Sequence, residues 1–260
     1  PGTARPGESI IESYSLIAGP LKIPGVTSNA SGLTFNSEAG TLVVFLDEPP
    51  SLVELALQGP DGLEPSLKRV IRLDGFEDTE GVAHIGGKLY AVVEERRATA
   101  ALLSIDDNAD AVTRPSNADM GDVAIDKGTN QGLEGLALSG DAQASADYQY
   151  LLTIREKRPP GVFRMSFRAY DGADWATTET LSWPLCDLAD LSGVYAHRPS
   201  GHVFMLSHES KTVVEYDNEQ KEVGRLSLRA GGTDPRALWR YQKGRGDHNG
   251  YCQRETVYLQ

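Results

Sequence analysis

Glutamates that recur at one point of a repeating pattern can assemble a site from positions far apart in the chain. Glu80-Gly81 and Glu134-Gly135 each open a short apolar run, and the paired run that follows ends in Glu94-Glu95-Arg96 or Arg155-Glu156-Lys157. Carboxylate, amide and carbonyl oxygens are the ligands of hard cations such as calcium, which take roughly six to eight of them. Glu80, Glu134 and Asn130 offer such atoms. The same acids can instead form ion pairs with Arg96, Arg155 and Lys157, and the Glu-Arg and Arg-Glu-Lys alternation fits that reading as well. A bound cation would also polarise a phosphoryl or carbonyl oxygen and activate water. Glu80 or Glu134 would then serve as base, and Arg96, Arg155 or Lys157 would hold a substrate anion. Cation binding, metal-dependent hydrolysis and purely structural pairing all remain open on these residues.

Other chemistry has less support. There is no Gly-x-Ser-x-Gly elbow and no Asp-x-Asp-x-Asp-Gly loop, so an EF-hand-type site is excluded. Ser207-His208-Glu209 lists the members of a triad, but neighbours in a strand point to opposite faces and cannot form a relay in that order. His84, His197, His202 and His248 lack metal-ligand spacing. Asp106-Asp107-Asn108-Ala109-Asp110 reads as a solvated acidic turn with cation binding as its alternative. No catalytic residue is assigned. Trp175, Trp183, Trp239, Tyr148 and Tyr170 either pack in the core or line a face for a protein or glycan partner.

The elements that must position these residues form a degenerate repeat. Ser31-Gly32-Leu33-Thr34-Phe35 is followed by a turn and Thr41–Pro49; Glu80–His84 by Lys88–Arg96; Glu134–Ala137 by Tyr150–Lys157; Ser192–Ala196 by His202–Ser210. Each unit is an acid or serine, a glycine, a short apolar strand, a turn, a second strand and a polar tail. The glycines at 32, 81, 135 and 193 lie 49, 54 and 58 residues apart. A period near 50 suits a four-stranded propeller blade. Ser51–Leu57, Lys68–Leu73, Ala101–Ile105, Gly161–Phe167 and Thr212–Tyr216 supply further β-branched and aromatic strands. No segment has a sustained 3.6-residue apolar period. The expected fold is all-β, a propeller of five or six blades. Antiparallel first and second strands would bring Glu80 and Glu134 to the same channel rim as Glu94, Glu95 and Glu156. Asp78, Asp190, Ser192, His208 and Glu209 would share that rim.

Composition narrows the partners. A formal net charge of −12 repels phosphates and argues against nucleic acid. A small anionic ligand or a protein partner stays open. No stretch approaches 18 apolar residues, so a membrane-spanning segment is not expected. Cys186 and Cys252 can form one disulfide but match no metal motif. Residues 1–8 read as a linker or mobile end and 9–260 as a single domain.

The ordered set Asp78-Thr79-Glu80-Gly81-Val82, Glu94-Glu95-Arg96, Asn130–Ala137, Arg155–Pro159, Asp190–Val194 and Leu206–Ser210 resembles the SdiA-regulated, or YjiK-like, family of bacterial envelope proteins. The likeness covers roughly residues 31–228. It implies a propeller-like fold, a divalent cation (calcium first) and a periplasmic or envelope location. It implies no biochemical activity. Residues 232–260 depart from the family pattern, which continues with another Ala-Glu-Gly strand. One hypothesis is a frameshifted coding sequence, because Gly250–Glu255 back-translates in a neighbouring frame to Gly-Ile-Val-Ser-Glu. An intact frame on resequencing would exclude it. Closure of the last blade is therefore in doubt from sequence.

Overall fold

The computed structural model describes residues 8–13, 22–26, 29–59, 64–115, 132–139, 149–156, 161–167, 175–181, 183, 185, 188 and 190–228. Those residues form a β-propeller with no α-helix, apart from one 3-10 turn at Ile11–Ser13. Blade 1 contains β1 (Ala30–Asn36), β2 (Thr41–Leu46), β3 (Ser51–Gln58) and β4 (Glu64–Asp74). Blade 2 contains β5 (Thr79–Gly86), β6 (Leu89–Glu94) and β7 (Thr99–Ser104). The chain then returns as β8 (Ala111–Thr113), which pairs in parallel with β4, so blade 1 gains a fifth strand. Blade 3 holds β9 (Leu133–Leu138), β10 (Gln149–Arg155), β11 (Gly161–Phe167) and β12 (Trp175–Leu181). Blade 4 holds β13 (Gly193–His197), β14 (His202–Ser207), β15 (Thr212–Tyr216) and β16 (Glu222–Ser227). Within each blade, consecutive strands pair antiparallel. No helix among the described residues is long and apolar enough to cross a membrane.

Four blades are described, where five or six were expected. The divergent stretch, residues 232–260, lies outside the described residues, as do Cys186 and Cys252.

Each blade alternates its side chains between two neighbours, which is why its strands are apolar on both faces. Val43, Phe45 and Leu52 of blade 1 meet Val82, Tyr90 and Val92 of blade 2. Ala91, Val93 and Leu102 of blade 2 meet Leu136, Leu151 and Met165 of blade 3. Leu152, Ile154 and Val162 then meet Met205, Val214 and Tyr216 of blade 4.

The recurring glycine has one job in three of the four blades. A Cβ on Gly32 would press on the Glu80 carbonyl oxygen at 2.9 Å, and one on Gly135 on the Val194 nitrogen at 2.7 Å. One on Gly81 would strike the Glu134 carbonyl oxygen and sit 2.8 Å from the Leu136 nitrogen. The inner strands approach too closely for any side chain there. Gly193 differs: among the described residues a Cβ would meet only Leu206 of its own blade, at 3.4 Å. β5 packs on β1 and β9, and β9 on β13, but β13 makes no comparable contact with β1. The described blades therefore form an arc with a seam between blades 4 and 1.

Candidate functional site

The pairing of inner and second strands sets the geometry of the mouth. β5 starts where β6 ends, with Thr79 opposite Glu94, and β9 starts where β10 ends, with Leu133 opposite Arg155. Glu80 and Glu134 near the heads of the inner strands therefore reach the level of Glu95 and Glu156 just past the second strands. Hydrogen bonds tie the tails in place: Glu95 N donates to the Asp78 carbonyl at 2.9 Å and Glu156 N to the Gly132 carbonyl at 3.2 Å.

Two groups of carboxylates result. Asp47, Asp78 and Glu80 form one, and Glu95, Glu134 and Glu156 the other; within each, one oxygen from every residue lies within 4.8 Å of the others. They come from three blades, and their charges are felt across the gap between the groups. Burial, then repulsion from Glu95, Asp47 and Asp78, pushes the Glu80 carboxyl up to about 7. Burial, then Glu80, Glu95, Glu156 and Asp78, pushes Glu134 up to about 9. Asp47 and Glu95 are raised as well, chiefly by burial, with Asp78 adding to both.

Among the described residues, Arg96 brings positive charge to the Asp78 side of this mouth. Arg96 Nε lies 3.0 Å from Oδ2 of Asp78, but the guanidinium is 62% exposed while the Asp78 side chain is only 4% exposed. Oδ2 itself accepts no hydrogen bond, so the approach of Arg96 is an ion pair without donor alignment. Glu95 does better, accepting the Gly132 amide at 2.9 Å. The donors here are nearly all carboxylate oxygen, which is the ligand chemistry of calcium or magnesium and not of a soft metal.

The other expected rim residues make contacts of their own, and one of them faces away. Glu94 is not at the mouth: it is fully buried and turned the other way, bound by Arg97, Arg114, Thr99 and the Glu77 amide. The cause is strand alternation, which sends neighbouring side chains to opposite faces. Asp190 is buried as a turn brace, its Oδ1 accepting Ser207 Oγ and Glu209 N, each at 2.8 Å. His208 is 70% exposed and 4.0 Å from Asp190, and Glu209 is exposed beside it. Ser192 Oγ turns back to the Leu206 carbonyl at 3.4 Å. Arg155 is half-buried and lies over the Phe163 ring at 5.9 Å. Asn130 and Lys157 lie outside the described residues, as do Tyr148, Tyr170 and Trp239. Trp183 packs edge-on against Tyr216 inside the core. The Asp106–Asp110 segment is a turn whose backbone carbonyls at 106 and 107 accept Arg69, and whose Asp106 side chain pairs with Lys88 at 2.9 Å.

Asp47 was missed. Its signal was present, since Asp47 ends the second strand of the first repeat at the place that Glu95 and Glu156 occupy in the next two.

Among solved structures the chain is similar to a nidogen/laminin complex structure, at 13% identity over 76% of this chain and 80% of that chain, with a TM-score of 0.47. It is also similar to a 2S albumin seed protein from Dolichos, at 11% identity over 80% of this chain and 90% of that chain, with a TM-score of 0.42. Likeness at that level carries no argument about activity. The SdiA-regulated family model matches residues 9–237, which takes in all four blades and the whole carboxylate mouth. The chain belongs to the SdiA-regulated family.

Proposed function

We propose that this protein is a divalent-cation-binding propeller of the bacterial envelope, with calcium as the first candidate, acting as a binding or sensing module. One observation carries the reading: Asp47, Asp78, Glu80, Glu95, Glu134 and Glu156 converge on one mouth, with Arg96, the Gly132 amide and the Ser31 hydroxyl among the groups that offset their charge. Packing like charges this closely is unfavourable, and burial weakens the screening by water. A hard cation removes both penalties at once. Asp47, Asp78 and Glu80 would hold it from one side and Glu95, Glu134 and Glu156 from the other. Placement in the envelope rests on the family resemblance.

Thermal unfolding in calcium, in magnesium and in chelator tests the proposal, with Glu80→Gln and Glu134→Gln alongside wild type. A ligand at about 100 times its dissociation constant stabilises the fold by about 2.7 kcal/mol. Calcium should raise the transition of wild type and leave both variants unmoved. Equal melting in calcium and chelator, for protein shown free of metal, would refute it. Phosphatase and lactonase assays on the calcium-loaded protein separate a hydrolase from a binding module.

A further inference from the structure

On the flank of blade 4 a fully buried carboxylate holds a piece of chain from the far end of the sequence. Side chains alternate along β15, so Glu215 points away from blade 3, opposite to Val214 and Tyr216. Its carboxylate accepts Ser9 Oγ at 2.8 Å and the amides of Ile10 and Ile11 at 2.9 Å, and His202 Nδ1 lies 2.6 Å away. Two successive backbone amides and a hydroxyl therefore end on one anion. Ile11 is buried beside it, and the turn Ile11–Ser13 lies against β16. Gly224, paired with Glu215 on that strand, makes the room: a Cβ there would strike Ser9 Oγ and lie 2.7 Å from Ile11 Cγ2.

On β14 the titratable group facing Glu215 is His202, which is buried as well. Just past β15, Asp217 accepts the turn amides of Glu219 and Lys221. On β16, Glu222 and Arg225 pair with each other at 2.9 Å. On the docked segment, Glu8 and Glu12 are exposed. Burial alone would raise the Glu215 carboxyl, but His202, the amides of Ile11 and Ile10 and the Ser9 hydroxyl prevail and hold it below its ordinary 4.5. Linkage runs both ways: donors that favour the charged carboxylate are held less tightly once it is protonated. The contact is at full strength above 4.5 and weakens as the pH falls through the lower value of the docked carboxyl.

We propose that Glu215 is an acid-sensitive latch, which as a carboxylate fastens residues 9–11 to blade 4 and on protonation lets them go. The fastening is charge-assisted, so loss of the charge is felt at all three donors together. A protonated carboxyl keeps a neutral acceptor and turns its other oxygen into a donor. The packing of Ile11 is then the main hold that remains. Release uncovers Ile11 and the surface around Gly224 on which it lies. The latch shares no residue with the carboxylate mouth, so it stands or falls independently of the cation site.

Nuclear magnetic resonance of the full chain, isotope-labelled at isoleucine, tests the latch in one sample. Ile10 and Ile11 report the segment, while the buried Ile71, Ile105 and Ile154 report the core. As the pH is lowered from about 6 to about 3, the amide signals of Ile10 and Ile11 should move to the positions of unstructured chain. Their midpoint should lie below 4.5, with the three core signals still in place. In Glu215→Gln the two signals should not change across that range, because an amide gains no proton there. Ser9→Ala removes one donor from a half-buried position and should raise the midpoint by roughly half to one pH unit, the weight of one hydrogen bond to a charged group. Signals of Ile10 and Ile11 that keep their folded positions until the core itself is lost would overturn the proposal. So would the wild-type titration surviving in Glu215→Gln. Should that variant fail to fold, Ser9→Ala decides alone, and a midpoint that it leaves unmoved would overturn the latch.

Discussion

In the absence of cation, this propeller should become less stable as the pH rises from 5 to 8, and Glu80→Gln should remove part of that loss, the rest resting chiefly on Glu134. An unfolded glutamate titrates near its ordinary value of 4.5, whereas the folded Glu80 titrates near 7. Between those values the folded state holds the extra proton, so stability is full below the unfolded pKa and declines as pH climbs through the folded one. A rise of this size is worth about 3 kcal/mol at about 1.4 kcal/mol per pH unit. Glutamine has no proton to lose there. The substitution also relieves Glu134, for which Glu80 is the largest cause of elevation after burial. At pH 8 in chelator the variant should therefore be the more stable protein by up to about 3 kcal/mol. For a chain of this length that means a midpoint higher by roughly 6 to 12 °C, at about 2–4 °C per kcal/mol. Saturating calcium should reverse the order, because only wild type keeps the full ligand set. Differential scanning calorimetry at pH 5, 6, 7 and 8, with and without calcium, reads all of this. Wild type gaining stability between pH 5 and 8 in chelator, or Glu80→Gln melting below wild type at pH 8, would refute the electrostatic reasoning.

Arg96→Ala should tighten calcium binding, because Arg96 is the cation now opposite Asp78; isothermal titration should show a lower dissociation constant, and a weaker one would mean that Arg96 orders the ligands. Gly81→Ala should cost several kcal/mol or prevent folding, since the new methyl collides with backbone of the next blade. Gly193→Ala, with Leu206 Cβ at 3.4 Å as its nearest described neighbour, should cost less than about 1 kcal/mol. Comparable loss in urea unfolding of both would contradict the arc. Glu94→Gln should destabilise by about 1 to 3 kcal/mol in chelator and in calcium alike, since it weakens the buried carboxylate that accepts from Arg97 and Arg114 and lies outside the mouth. A calcium response that vanishes in this variant while the fold survives would place Glu94 among the ligands.

Much of this protein can be read without coordinates. The Gly-plus-apolar unit repeating near 50 residues specifies blades, because paired short strands apolar on both faces have few other ways to be buried. The strands expected at 51–57, 68–73, 101–105, 161–167 and 212–216 all exist, the last two with those bounds and the others with shifted ends. The repeat also located Glu80 and Glu134 at equivalent points, since a period carries register with it. It did not separate Glu94 from Glu95: adjacent identical residues differ only in which face they take, and that is decided by where β6 ends. The blade count was not legible either, nor the loan of β8 to blade 1, because pairing partners distant in sequence leave no local pattern.

Tertiary structure alone decided the charge state of the mouth and the partners of the N-terminal segment. A glutamate's pKa depends on burial and on its neighbours, and Glu134 acquires those neighbours only when blades 2 and 3 bring Glu80, Glu95 and Glu156 together. Glu215 and Gly224 look unremarkable in the sequence, one acid in a strand and one glycine near a turn. They acquire partners only because a segment some 200 residues away lies across them, and what a side chain does there depends on contacts that no local stretch of sequence encodes.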